Sequence, residues 1–490
     1  MGQILALAIG ALTLWELLWN AVVPLQGLLG HFRPGAPRRR AKWLLRASLK
    51  VPTIFGMSTR LSKTLRLAAI LNADREFAAA EQLCRQALAG EHADSLRTVG
   101  LRIELSRALD GQWKIAEAVA EGRRACEILE RGGAQTGPLA LETANVLEYQ
   151  GKYDEAVDVL RRALYDRRLR GYQQRLVIAR YLSGCLALRR NVEAYRFALS
   201  LSPETLWGGP SPVRSLMLTA LTWLYCYFGY LRHAAATAAA VTHQPLRLRA
   251  ISFVLAYSGR LTEATMVMRQ ASMLSADERY PDPMYLTLLG LSGQFQQIVD
   301  ELRGRVEHIA DGGTSERRLL GVCLAVLGHA YLMLADYNAA IAPLRRVDEI
   351  PGQQNFVRAA AHSDLAAAFG ALRRLAEAEE HLARARSLWQ AVHNDSITGG
   401  EGGVYIGRAL LSMGRALAAR DELYHAAANI SDPLLRPAAL YWLGAAEREL
   451  GNTHSAAACF EQAAASCVAT YCARQAQAEL ARLRSSSGGR

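Results

Sequence analysis

One short pattern recurs along this chain and restricts its fold more than any other feature. A small or turn-forming residue is followed, usually, by an apolar residue two positions on and an alanine five positions on. It appears as Arg75–Ala80, Gly111–Ala116, Gly151–Ala156, Gly229–Ala234, Gly259–Ala264 and Gly293–Ile298. It continues as Ala335–Ala340, Arg373–Ala378, Gly414–Ala419 and Gly451–Ala456, with a degenerate copy near Arg190 and Asn191. The starts step by 36, 40, about 39 twice, 30, 34, 42, 38, 41 and 37 residues, and self-similarity at such a period marks a repeat array. The glycine ends one helix, because a sharp turn tolerates little side chain there. The apolar residue plugs the hairpin, and the alanine lets two helix backbones approach. A hairpin of this kind buries its apolar face only against its neighbours, so the array is a solenoid.

Composition agrees with an all-α chain. Of 490 residues 51% are hydrophobic but only 7% aromatic, and Ala, Leu and Arg dominate. That mix favours helix over sheet.

The best copy reads Leu327-Gly328, Tyr331, Ala335, Ala340 and Leu344, closing at Pro351. The last reads Leu443-Gly444, Gly451, Ala456, Phe460 and Ala463. In these residues the chain resembles the tetratricopeptide repeat (TPR) family over roughly 60–480, with Ala335 in place of the usual turn glycine. The resemblance implies a right-handed α-solenoid of about eleven hairpins with a concave groove that binds other proteins.

Charge is concentrated at one end. Residues 1–66 hold ten Lys/Arg against the single acid Glu16, which accounts for nine of the twelve net positive charges. A groove tracking phosphates needs its cations along the array, so nucleic acid is not the expected partner. Ile4 to Gly30 is almost uninterrupted apolar sequence. About twenty helical residues reach the ~30 Å needed to cross a bilayer core. Within it Gly10, Thr13, Glu16 and Asn20 share one face, which in lipid is a packing face toward another membrane helix. Arg38, Arg39, Arg40, Lys42, Arg46 and Lys50 follow as a membrane-surface basic set, and place the solenoid on the cytoplasmic side.

The expected organisation is therefore a hydrophobic helix over 1–32, a basic amphipathic linker over 33–60, the solenoid over 61–483 and a frayed tail over 484–490. Three stretches break the rhythm, Ser202–Pro212, Ala276–Pro283 and Val392–Val404. The last of them, Val392–Val404 with its glycine-rich 399–403 run, is expected to be a flexible inter-repeat linker, with a functional loop as the alternative. Tyr471 onward is expected to cap the array.

No catalytic signature is present: there is no H-E-x-x-H, no G-K-[ST] and no G-x-S-x-G. The eleven histidines are dispersed without metal-ligand spacing, and none of the eight cysteines forms a C-x-x-C pair. The expectation is a non-enzyme without cofactor or metal, with buried free thiols. By the family's offsets on each first helix, the resemblance assigns the groove to Asn145, Glu148, Trp223, Tyr227, Arg249, Phe253, His329 and Met333. The plain alternative for Trp223, Tyr227 and Phe253 is packing between hairpins. The sequence thus reads as a membrane-tethered scaffold or adaptor of a secretion, motility or envelope-biogenesis assembly. Two alternatives stand beside it: a soluble peptide-sensing regulator whose N-terminal helix packs on the solenoid, and a periplasmic assembly factor.

Overall fold

The computed structural model describes residues 42, 56–89, 95, 96, 98–133, 136–166, 168–202, 205, 206, 211–274, 281–306, 314–392, 399–430, 432–466 and 468–487. Among them there are helices and turns but no strand. The expected membrane helix over 4–30 lies outside the described residues. No described helix is long and apolar enough to cross a membrane.

The chain divides into two compact units, Met1–Gly133 and Ala134–Arg490. The first holds two hairpins, α1 (Gly56–Ala73) with α2 (Phe77–Ala89) and α3 (Val99–Gly111) with α4 (Ile115–Arg131). The second opens with α5 (Thr136–Tyr149) and α6 (Tyr153–Leu164), then α7 (Gly171–Ala187) and α8 (Asn191–Ser200). Next come α9 (Ser211–Tyr227) with α10 (Leu231–Ala239) and α11 (Gln244–Tyr257) with α12 (Leu261–Leu274). They are followed by α13 (Pro283–Leu291) with α14 (Phe295–Leu302) and α15 (Thr314–Met333) with α16 (Tyr337–Glu349). The last pairs are α17 (Asn355–Ala371) with α18 (Leu375–Ala391), α19 (Gly399–Ser412) with α20 (Ala416–Asn429), and α21 (Arg436–Glu449) with α22 (Thr453–Ala464). A single helix, α23 (Tyr471–Ser487), ends the series and runs on into the segment expected to fray. The described residues thus form eleven TPR-like hairpins and one further helix. We number the hairpins 1 to 11.

Every hairpin turns in the same way. One residue takes a left-handed backbone at each turn: Arg75, Trp113, Gly151, Arg189, Gly229, Gly259, Gly293, Ala335, Arg373, Gly414 and Gly451, with φ between 62° and 85°. The next amide then donates back to a carbonyl five residues earlier, as in Lys152 to Leu147 at 2.9 Å and Asn452 to Glu447 at 2.9 Å. This is the Schellman closure, which satisfies the last carbonyls of the first helix while releasing the second.

One turn sits in a different register from the one read in the sequence, and the degenerate copy near Arg190 and Asn191 gains a definite one. Hairpin 2 turns at Trp113, not Gly111. Gly111 is there for packing, since a Cβ on it meets the Phe77 ring at 2.4 Å. The closely packed alanine of that hairpin is therefore Ala118, not Ala116. Hairpin 4 turns at Arg189, which places Ala194 in that role. With the register corrected, all eleven positions five past the turn are sealed: ten alanines and Ile298, none above 1% exposed. The alanine brings backbone to side chain across the hairpin. Ser106 donates to the Ala118 carbonyl and Ser252 to the Ala264 carbonyl, each at 2.7 Å. The position two past the turn is less uniform, buried at Tyr153 and Phe295 but 47% exposed at Leu375.

The 399–403 run is not a linker. Gly399 begins α19, and its glycines are set by close packing. A Cβ on Gly400 meets Ile430 at 2.4 Å, and one on Gly402 meets the Trp389 ring at 2.9 Å. Tight neighbours here outweigh the poor helix propensity of glycine.

The second unit winds back on itself. Turn ends of hairpins 3, 4, 6 and 7 meet loop ends that follow 167 to 212 residues later. Tyr153 donates from its hydroxyl to the Gly352 carbonyl at 2.6 Å, and Gln354 reaches the Ala187 carbonyl at 3.4 Å. Arg189 stacks over Phe356 at 4.5 Å and pairs with Glu401 at 3.6 Å. Further on Tyr257 reaches Asp432 at 3.4 Å, and Arg474 donates to the Ser292 carbonyl at 2.7 Å. These contacts form one seam between successive turns of the array.

Candidate functional site

The residues assigned to the groove lie on first helices of their hairpins. Most of the polar ones are engaged by the next first helix. Arg180 on α7 donates to Glu148 at 2.7 Å and to Asn145 at 3.3 Å. Arg249 on α11 pairs with Asp282, the N-cap of α13. His329 on α15 lies 2.8 Å from Asp364 on α17. Arg408 on α19 pairs with the same Asp364, and its other amino group lies 3.3 Å from His329 and 3.7 Å from the Met333 sulfur. These pairs run as rungs from helix to helix. Removing one partner of a rung as buried as Asp364–Arg408 leaves a charge uncompensated, a far larger cost than that of an exposed pair.

The aromatic members sit differently. Trp223 and Tyr227 stack at 5.1 Å, and Tyr227 and Phe253 are buried. Tyr227 faces the seam, where burial pushes its hydroxyl up to about 12, with the Asp432 and Glu401 charges adding to the shift. Asp432 itself is buried, which raises its carboxyl to about 6 despite the Leu434 amide that donates to it. Burial works against the Arg189 charge, but Glu401 beside it holds the guanidinium above its ordinary value.

Sequence reasoning missed Arg180, Asp282, Asp364, Arg408 and the seam cluster of Arg189, Glu401 and Asp432. A signal was present for two of them. Asp364 and Arg408 are lone charges inside apolar helical runs, and a solitary charge there needs a partner.

Of the membrane-facing set, Gly10, Thr13, Glu16, Asn20, Arg38, Arg39, Arg40, Arg46 and Lys50 lie outside the described residues. Lys42 is described. Its ammonium lies 2.6 Å from Asp74 and 2.5 Å from Glu76, so its charge is matched within the first unit. Burial opposes that charge, but hydrogen bonds to Asp74 and Glu76 leave its pKa raised.

The described cysteines form no disulfide. Burial pushes the Cys84, Cys185, Cys226, Cys323 and Cys472 thiols up to about 12, which removes the thiolate a nucleophile needs. Among the described residues no group of His, Cys, Asp and Glu is placed to hold a metal.

No family model matches this chain, and no curated protein matches it. Among solved structures, a chain of the APC/C hetero-tetramer Cut9-Hcn1 aligns with 87% of this chain and 75% of that chain, at 14% identity and a TM-score of 0.49. A likeness at that level carries no argument about function, and the fold rests on the helices themselves.

Proposed function

We propose that this chain is a non-catalytic protein-interaction scaffold, held at a membrane by residues 4–30 with its solenoid on the cytoplasmic side. The observation that carries the scaffold reading is the elevenfold repetition of one hairpin with one turn geometry. Such an array generates extended surface, and its charged side chains go into joining neighbours. Partners on the first-helix face engage Asn145, Glu148, Arg249, His329 and Met333 by exchanging intramolecular rungs for contacts with the partner. The apolar Ile4–Gly30 run supports the tether, and its Gly10, Thr13, Glu16 and Asn20 stripe supports a helix partner in lipid. The assembly it serves is of the secretion, motility or envelope-biogenesis type.

One observation favours a second reading. Lys42 belongs to the basic segment yet is docked on Asp74 and Glu76, which suits a soluble peptide-sensing regulator whose N-terminal helix packs on the solenoid. Alkaline extraction of membranes separates the two: a spanning helix resists it and a packed one is released. For the tethered scaffold, deleting residues 1–66 is expected to free the chain from the membrane fraction. Retention of the deleted chain there, with its partners, would sink the tether. Glu16→Leu is expected to reduce co-purification of a membrane partner while the solenoid stays folded.

A further inference from the structure

We propose that the second unit carries two free edges that dock head to tail on a second copy of this chain, extending between molecules the seam that closes each molecule on itself. The argument goes beyond the first-helix face and does not depend on it. A hairpin has a turn edge, where first helix passes to second, and a loop edge, where it passes to the next hairpin. The seam joins the turn edges of hairpins 3, 4, 6 and 7 to loop edges from the one ahead of α17 to the one ahead of α23. Under the seam, apolar turn residues are covered: Tyr153 is 7% exposed, Leu261 6% and Phe295 5%.

Among the described residues of the second unit, no loop edge covers the turn edges of hairpins 8, 9 and 10. There Leu334, Leu375 and Leu417 stand exposed. Leu375 occupies the same place in its turn as Tyr153, Leu261 and Phe295, two past the left-handed residue. At the opposite end, the loop edges of hairpins 3 to 6 meet no earlier turn edge among the described residues of the second unit. They expose Tyr165 (81%), Tyr172, Leu199, Met273 and Leu274.

Together these are eight of the twelve large apolar side chains that the described part of the second unit exposes. Scattered single apolar residues need no explanation, but a concentration on two edges at opposite ends of the unit does. The kind of surface that covers a turn edge is already visible in the seam, and it is a loop edge of this same chain. A second copy presents that edge, which is why it is the occupant chosen. The contact is heterologous, so each added copy leaves a free turn edge at one end and a free loop edge at the other, and association is open-ended.

The experiment uses the full chain in non-ionic detergent, with mass measured by light scattering across a concentration series and corrected for bound detergent. The wild type is expected to gain mass with concentration in steps of one chain. Leu375→Glu with Leu417→Glu on one edge, or Tyr165→Glu with Leu199→Glu on the other, is expected to weaken association by roughly tenfold or more. Circular dichroism checks that each variant remains helical. The deciding step mixes the two variants. Each keeps one intact edge, so the mixture is expected to form dimers and stop. Three results overturn the proposal: a wild type that stays at one chain throughout, edge variants that associate as the wild type does, or a mixture that fails to pair. The last two point to a different interface, and the first to edges covered by some other protein.

Discussion

Gly151 and Gly451 hold the same place in their turns, at φ of 74° and 80°, but their surroundings differ. A Cβ on Gly451 meets nothing within 4 Å, whereas one on Gly151 falls 2.9 Å from the Cα of Gly352, across the seam. Alanine at either site carries a left-handed backbone cost of about 1–2 kcal/mol. Only Gly151→Ala also pushes two backbones apart. It strains the Tyr153 hydrogen bond to Gly352 at 2.6 Å and the Arg318 guanidinium stacked over Tyr153 at 4.6 Å. The hydrogen bond is worth about 0.5–1.5 kcal/mol and the cation–π contact about 0.5–1 kcal/mol. Gly151→Ala is therefore expected to cost roughly 1–2.5 kcal/mol more than Gly451→Ala. A repeat array does not unfold as one unit, so the readout is local hydrogen exchange by mass spectrometry on the full chain. Peptides spanning 149–153 and 352–356 are expected to exchange roughly five- to seventyfold faster in Gly151→Ala, with no such change in Gly451→Ala. Equal protection of both peptides in the two variants would refute the close backbone approach.

Other perturbations read other parts of the fold. Ala335 is exposed and left-handed with φ 62°, so Ala335→Gly is expected to stabilise by about 0.5–1 kcal/mol, and a lowered melting temperature counts against that turn geometry. Asp432 has a carboxyl raised to about 6 by burial, so its contribution to stability is full below its unfolded value near 4 and is lost as pH rises through 6. Asp432→Asn is then expected to match the wild type near pH 4 and to exceed it by about 3 kcal/mol at pH 7.5 in denaturant melts, a gap absent if the carboxyl is ordinary. Arg408→Met leaves the buried Asp364 without its guanidinium and is expected to cost about 3–5 kcal/mol, with Asp364→Leu added in the same chain recovering part of it; a double variant as unstable as the single one contradicts a paired rung. Gly402→Ala places a Cβ 2.9 Å from the Trp389 ring and is expected to cost about 1–3 kcal/mol, which chemical denaturation followed by Trp fluorescence measures.

The repeat was legible because its cause is local. A left-handed turn, and an alanine five residues later, leave a mark at every hairpin. The register error at Gly111 shows where local reading fails. Gly111 looks like a turn glycine but owes its identity to Phe77, a residue of the preceding hairpin. Trp113, Arg189 and Arg373 carry the turn without any glycine at all. Glu148, Arg249 and His329 sit on the first helices of their hairpins. Their partners were not found, because Arg180, Asp282 and Asp364 are 32 to 35 residues away and depend on how each hairpin stacks on the last. The seam was out of reach altogether. The approach of Gly151 to Gly352, or of Tyr257 to Asp432, depends on a small rotation accumulated over several hairpins, and no single residue records that rotation.

The seam also gives the number of hairpins a meaning it does not have in an open array. In a solenoid held only by nearest neighbours, a copy can be gained or lost with little effect beyond the junction. Here, excising hairpin 8 (Thr314–Glu349), which lies inside every paired interval, moves every long-range pair out of phase. Gly352 then faces a different turn, and Asp432 no longer meets Tyr257. The length of the second unit is therefore fixed by its own geometry. Variation by whole-repeat duplication or deletion is open to it only where the change falls outside the paired interval.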